Sequence, residues 1–135
     1  MDAGERRGRD RDSLKTGNFM GYENLKLRTK KFALDVIKLF ESLPKDPVSK
    51  VLGGQLIRAG TSVAANYRAA CRAKSTADFI SKLGNVEEEA DESGFWLEML
   101  VDAGKLKPLI AAPLVREASE LDRKSVVRER VCVPV

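Results

Sequence analysis

The chain has 135 residues, 43% of them hydrophobic and 33% charged, with a net charge of +4. That length holds one domain with a single modest core, and 6% aromatics with five prolines argue against a turn-rich β sandwich. Histidine is absent, which removes the commonest general base, the commonest zinc ligand and every Ser-His or Cys-His mechanism.

Cys71 and Cys132 lie far apart and match no metal spacing, so two reduced thiols are expected. No apolar run reaches the roughly 18 residues of a membrane span. The first residues, MDAGERRGRDRDSLK, lack the apolar stretch of a secretory leader, so a cytoplasmic location is expected. Charge is segregated along the chain. Residues 48–75 carry five basic and no acidic residues, whereas 76–104 carry one basic and eight acidic. Two such helices can neutralise one another when they pair.

In chain order, residues 1–18 alternate charges and glycines with almost nothing to bury, which predicts a disordered tail. Residues 19–130 then form the folded unit, and 131–135 (VCVPV) form a short apolar C-terminal tail. A first helix is predicted from about Tyr22 to Leu43, with Phe32, Val36, Leu39 and Leu43 on its core stripe. Pro44 and Pro47 end it. A second helix is predicted from Val48 to Ala73, with Leu52, Leu56, Ala59, Val63 and Ala70 inward. On one flank lie Gln55, Arg58, Ser62 and Asn66, and on the other the small residues Gly53, Gly60, Ala64 and Cys71. Glycine inside a helix costs about 1 kcal/mol relative to alanine, so these two glycines imply a close backbone approach.

Ser75 reads as an N-cap, with Asp78 three positions on. The third helix, Thr76 to Ala103, aligns Phe79, Leu83, Val86, Ala90, Gly94, Leu97 and Val101, and Gly104 reads as its C-cap. Phe95 and Met99 project from the other side, a second apolar patch that predicts a partner surface. A fourth helix is predicted from Leu114 to Arg128, with Pro113 in its first turn and Leu114, Ala118, Leu121 and Ser125 inward. The fold class is therefore all-α, an antiparallel up-down-up-down four-helix bundle.

The stretch QLIRAGTSVAANYRAACRAKSTADFISKLGNVEEEADESGFWLEML resembles the core of a bacterial four-helix bundle family, the one named for the 23S ribosomal RNA intervening-sequence protein. The matching positions are Gln55, Arg58, Ser62-Val63 and Asn66, then Arg72 to Ser75, Asp78-Phe79, Glu89 to Glu92 and Trp96 to Glu98. The resemblance covers roughly residues 25–125 and is most specific in the middle two helices. Close relatives carry Glu-Ala after the Asn-Tyr-Arg element, where this chain has Ala69-Ala70. If that glutamate pairs with an arginine, a compensating carboxylate is needed here, and Glu89 is the candidate. The resemblance implies a cytoplasmic, ring-like homopentamer of undefined biochemical activity. It also implies similarity to the accessory protein of diversity-generating retroelements, which binds nucleic acid with a basic surface.

Lys50, Arg68, Arg72 and Lys74 are the nucleic-acid candidates, since such side chains neutralise phosphates and release counterions. The alternative is that they pair with the acidic third helix of the same or a neighbouring subunit. Stacking platforms for bases are missing apart from Tyr67 and Tyr22. Gln55, Arg58, Ser62, Asn66 and Glu89 are read as a buried polar network that fixes helix register. Gly53, Gly60, Ala64, Phe95 and Met99 are read as an oligomer interface. The acidic run from Glu87 to Glu92 points around most of one helix and is read as a solvated face. No nucleophile-base pair, phosphate loop or dinucleotide fingerprint occurs, so no enzyme, cofactor or metal is expected. Two functions remain open. One is a homo-oligomeric scaffold that binds RNA or DNA. The other is an oligomeric module whose partner is a protein, for instance a reverse transcriptase or ribosome-associated factor.

Overall fold

Apolar residues recurring every three or four positions become four α-helices in the computed structural model, which describes residues 17–123. The charged tail up to residue 16, Ser125 and the VCVPV tail lie outside the described residues, as do the side chains of residues 17–23, Tyr22 among them. The helices are α1 (Gly17–Ser42), α2 (Pro47–Ala70), α3 (Thr76–Asp102) and α4 (Pro108–Asp122). The described residues contain no strand. Each helix packs on the next, and α4 closes back more lightly onto α1. Among the described residues, no helix is long and apolar enough to cross a membrane.

The stripes read from the sequence supply most of the core. Phe32, Val36, Leu56, Val63, Phe79, Leu83, Val86, Leu97 and Leu121 are all buried, with Tyr67 among the largest. Burying each such side chain contributes about 1.5–3 kcal/mol. Truncating a central one, Leu83→Ala for instance, costs about 2–5 kcal/mol because the void only partly collapses. Thr29 and Ser93 enter the core by donating their hydroxyls one turn back, to the carbonyls of Leu25 and Glu89.

The small face of α2 is used within the subunit, and this corrects the interface expected at Gly53 and Gly60. A Cβ at Gly60 would lie 2.9 Å from Val36 Cγ2, and one at Gly53 would lie 2.7 Å from Phe40 Cδ1. Both glycines are buried under α1 of the same chain. Sequence spacing revealed the close approach without revealing whose helix makes it.

The helix ends differ from expectation in four places. Helix α1 begins at Gly17, ahead of the predicted Tyr22. At the start of α2, Asp46 is the N-cap: its carboxylate accepts from the Ser49 amide at 2.9 Å and from the Ser49 hydroxyl at 3.0 Å, with Pro47 in the first turn. Helix α2 stops at Ala70, because the Arg72 and Ala73 amides turn back to the carbonyls of Ala69 and Ala70. Helix α4 starts at Pro108, which takes the first-turn role expected of Pro113. Pro113 instead stands inside α4, where it has no N–H to offer the Leu109 carbonyl.

The ends of α3 follow the sequence reading. The Ser75 hydroxyl accepts from the Asp78 amide at 3.0 Å, and the Asp78 carboxylate accepts from the Lys74 amide at 3.1 Å. At the other end Gly104 adopts φ +74, a backbone region that favours glycine. The Gly104 and Lys105 amides then satisfy the carbonyls of Val101 and Leu100.

Candidate nucleic-acid interface

Basic residues on α2 gather at one end of the helix. Arg68 lies in the last turn of α2, Arg72 just past its end, both exposed, and Lys74 follows before α3. These three line a depression with Ala65, Ala69, Asp78 and Lys82. Asp78 is already engaged: the Lys82 ammonium lies 2.5 Å from it, and the Lys74 amide donates to its other oxygen. The Lys82 contact comes first among the causes that hold the Asp78 carboxyl below its ordinary range. Ala69 adds no carboxylate, so Arg68 and Arg72 have no ion-pair partner among the described residues.

Lys50 does not join them. It precedes Arg68 by five turns of helix, about 27 Å at 1.5 Å per residue. It lies in a separate depression with Phe40, Leu43, Pro44 and Lys45.

On the other side of Arg68 and Arg72 runs a cleft of about 500 Å³ between α1 and α2. Its α1 wall carries Lys26 and Lys30, one turn apart and exposed, and Ala64 and Ala65 contribute small apolar surface from α2. Sequence reasoning missed these two lysines. Their spacing on α1 was visible, but only the packing of α1 on α2 places them opposite the arginines. Ala64, expected at an oligomer interface, lines this cleft, as does Cys71. Tyr67 is 1% exposed and belongs to the core, so it offers no stacking face.

Arg58 sets the charge pattern of the α2–α3 seam. Its guanidinium lies 2.5 Å from Glu92 and 3.6 Å from Glu89, and Glu92 also accepts from the Trp96 indole at 3.2 Å. Gln55 accepts from Arg58 Nε at 3.4 Å. The Arg58 side chain is 49% exposed, which corrects the expectation of a buried network. Ser62 and Asn66 are half-buried, and the Asn66 amide donates one turn back to the Ser62 carbonyl at 2.9 Å. Glu89 Oε1 is buried without a hydrogen bond, since Arg58 Nη1 at 3.6 Å is beyond bonding reach. On α3, Glu92 is thus engaged by Arg58 and Asp78 by Lys82. The acidic run of α3 is not wholly solvated, because Glu87 is buried and Glu89 half-buried.

The α3–α4 side has the opposite character. Asp91, Glu98 and Asp122 line a groove of about 380 Å³ with Gly94, Phe95 and Val115. Burial first, then the charges of Asp91 and Glu87, push the Asp122 carboxyl above its ordinary range. Phe95 is 50% exposed and sits edge-on to Trp96 with ring centroids 4.9 Å apart, while Met99 is half-buried. Helix α4 is held to α1 by Arg28, whose guanidinium donates to both oxygens of Glu117 at 2.6 and 2.8 Å and reaches Glu120 as well. Those bonds, led by the one to Glu117, raise the Arg28 pKa.

The profile of the 23S rRNA-intervening sequence protein family matches residues 24–126, most of the chain. The protein belongs to that family. A solved structure from Bacteroides thetaiotaomicron, described as a protein of unknown function from the S23 ribosomal protein family, is similar to it. The two share 30% sequence identity over 78% of this chain and 97% of that one, with a TM-score of 0.71. No curated protein matches this chain. The matched span of the 23S rRNA-intervening sequence family takes in all four helices except the first residues of α1, and includes every basic residue of the interface.

Proposed function

We propose that this member of the 23S rRNA-intervening sequence family is a non-catalytic, cytoplasmic, self-associating antiparallel up-down bundle that binds RNA or DNA through the basic end of α2. The reading is carried by one observation: Arg68 and Arg72 stand exposed and without carboxylate partners among the described residues, although they lie next to the most acidic helix of the chain. Cations of this kind neutralise backbone phosphates, so binding is sequence-tolerant and falls steeply with salt. Assembly into a ring, a homopentamer by resemblance to the family, would repeat the patch and add weak contacts through multivalency.

Light scattering after size-exclusion chromatography, then RNA and duplex DNA binding at low and moderate salt, tests this directly. An oligomer that binds with steep salt dependence, weakened at least tenfold by Arg68→Glu with Arg72→Glu, is expected. An oligomer that ignores both nucleic acids overturns it.

A second reading has its own observation. Phe95, Leu109 and Ile110 remain exposed on α3 and α4, and Phe95 borders an acidic groove. Such a surface suits a protein partner, for instance a reverse transcriptase or ribosome-associated factor, and that reading gains if nucleic acid is ignored.

A further inference from the structure

Resting on the nucleic-acid reading, we infer that the cleft between α1 and α2 grips the phosphate backbone of a single nucleic-acid strand, with Lys26 and Lys30 as one wall and Arg68 and Arg72 as the other. Nothing in the family likeness assigns the α1 lysines a role. Lys26 and Lys30 are one turn apart on α1, and Arg68 in the last turn of α2 is followed four residues on by Arg72 in the turn beyond it, so each wall carries two cations. None of the four cations has a carboxylate partner among the described residues, and all four are exposed. Along the α2 side lie Ala64 and Ala65, too short to block entry and without a competing charge.

Width selects the strand. Packed helices have axes about 8–10 Å apart, so the seam between them is narrower than a duplex, whose major groove alone is about 12 Å across. A duplex can touch only the rims of this cleft, and its phosphates reach one wall at a time. A single strand can lie between the walls and meet both. Base identity is not read, because Tyr67 is buried and the cleft offers no exposed aromatic face among the described side chains. The ligand class is therefore a single-stranded polyanion, RNA or DNA, held by its backbone.

The test compares wild type, Lys26→Gln/Lys30→Gln and Ala64→Leu, each confirmed as folded by circular dichroism. Binding of homopolymeric single strands and of duplex DNA is measured across a salt series. In single strands each neutralised phosphate contributes about 0.7 to the slope of log K against log salt. Loss of both lysines should lower that slope by about 1.4 for single strands and leave the duplex slope near its wild-type value. Ala64→Leu keeps every charge and lies outside the depression of Arg68, Arg72 and Lys74 but obstructs the cleft, and should weaken single strands at least tenfold with duplex affinity unchanged. Wild-type slopes and affinities in both variants, with Arg68→Glu/Arg72→Glu still impaired, would overturn the cleft and leave the basic-patch reading intact. Absence of binding in the wild-type protein would overturn both.

Discussion

Gly60 offers the sharpest test of how α1 and α2 pack. Replacing glycine with alanine in a helix interior gains about 1 kcal/mol of helix propensity. At Gly60 the new methyl would meet Val36 Cγ2 at 2.9 Å, Cγ1 at 3.0 Å and Cβ at 3.1 Å. Val36 is fully buried and β-branched, so rotating its χ1 only exchanges one methyl for another. The helices must therefore separate, and overpacking of this kind costs about 1–3 kcal/mol. Gly54 is the internal control, one helix face away, with nothing within 4 Å of the added carbon. Gly54→Ala should stabilise by about 1 kcal/mol. Gly60→Ala should destabilise by about 1 kcal/mol, the difference between the packing cost and the propensity gain. Urea unfolding followed by far-UV circular dichroism, at one protein concentration, measures both. The two variants should melt about 8 °C apart, at roughly 4 °C per kcal/mol for a domain of this size. Val36→Ala in the Gly60→Ala background should recover at least 1 kcal/mol as a coupling energy. If Gly60→Ala proved as stabilising as Gly54→Ala, the close approach described between α1 and α2 would be wrong. A changed oligomeric state with unchanged stability would return Gly60 to the subunit interface.

Three further outcomes follow from the same geometry. Arg58→Ala should cost about 0.5–1 kcal/mol, the range of a solvent-screened pair. A loss above 3 kcal/mol in thermal unfolding would mean that the pair is buried after all. Asp122→Asn should raise stability at neutral pH. The carboxyl pKa is raised by folding, so its penalty is absent at low pH, grows as pH rises through the ordinary Asp value near ~4, and is complete above the folded value. A stability gain that persisted unchanged at pH ~3 would sink that account, since Asp is protonated there in both states. Pro113→Ala should stabilise by about 1–3 kcal/mol, because it restores an N–H for the exposed Leu109 carbonyl, and a calorimetric melting temperature at or below wild type would argue against it.

Much of the fold was legible because burial imposes a period on the sequence. The stripe from Phe79 to Leu97 could be read from spacing alone, and Ser75 and Gly104 declared their roles through side-chain chemistry. Asp46 was just as good a cap, but it lay between two prolines and read as connection. Pro108 and Pro113 are equally suited to a first turn by composition, and only the packing of Ala111 against the core decides between them. The interface was harder to read. Arg68 and Arg72 stood out as basic residues, yet their freedom depends on which cation α3 engages, and Arg58 could be assigned to Glu92 only in three dimensions. Lys26 and Lys30 became visible only when α1 was laid beside the end of α2.

The order in which the helices pack has a consequence for how many strands one molecule can serve. With α2 on α3 and α4 back on α1, the α1–α2 seam and the α3–α4 seam are built from separate pairs of helices. One is lined by lysines and arginines, the other by Asp91, Glu98 and Asp122. A polyanion taken up on the first seam, as proposed, would leave the carboxylates of the second to meet whatever approaches next. On the proposed nucleic-acid reading, such a particle would sheathe one strand and repel the next. On that reading it would keep nucleic acid dispersed, where a protein cationic on every side would bridge strands and condense them.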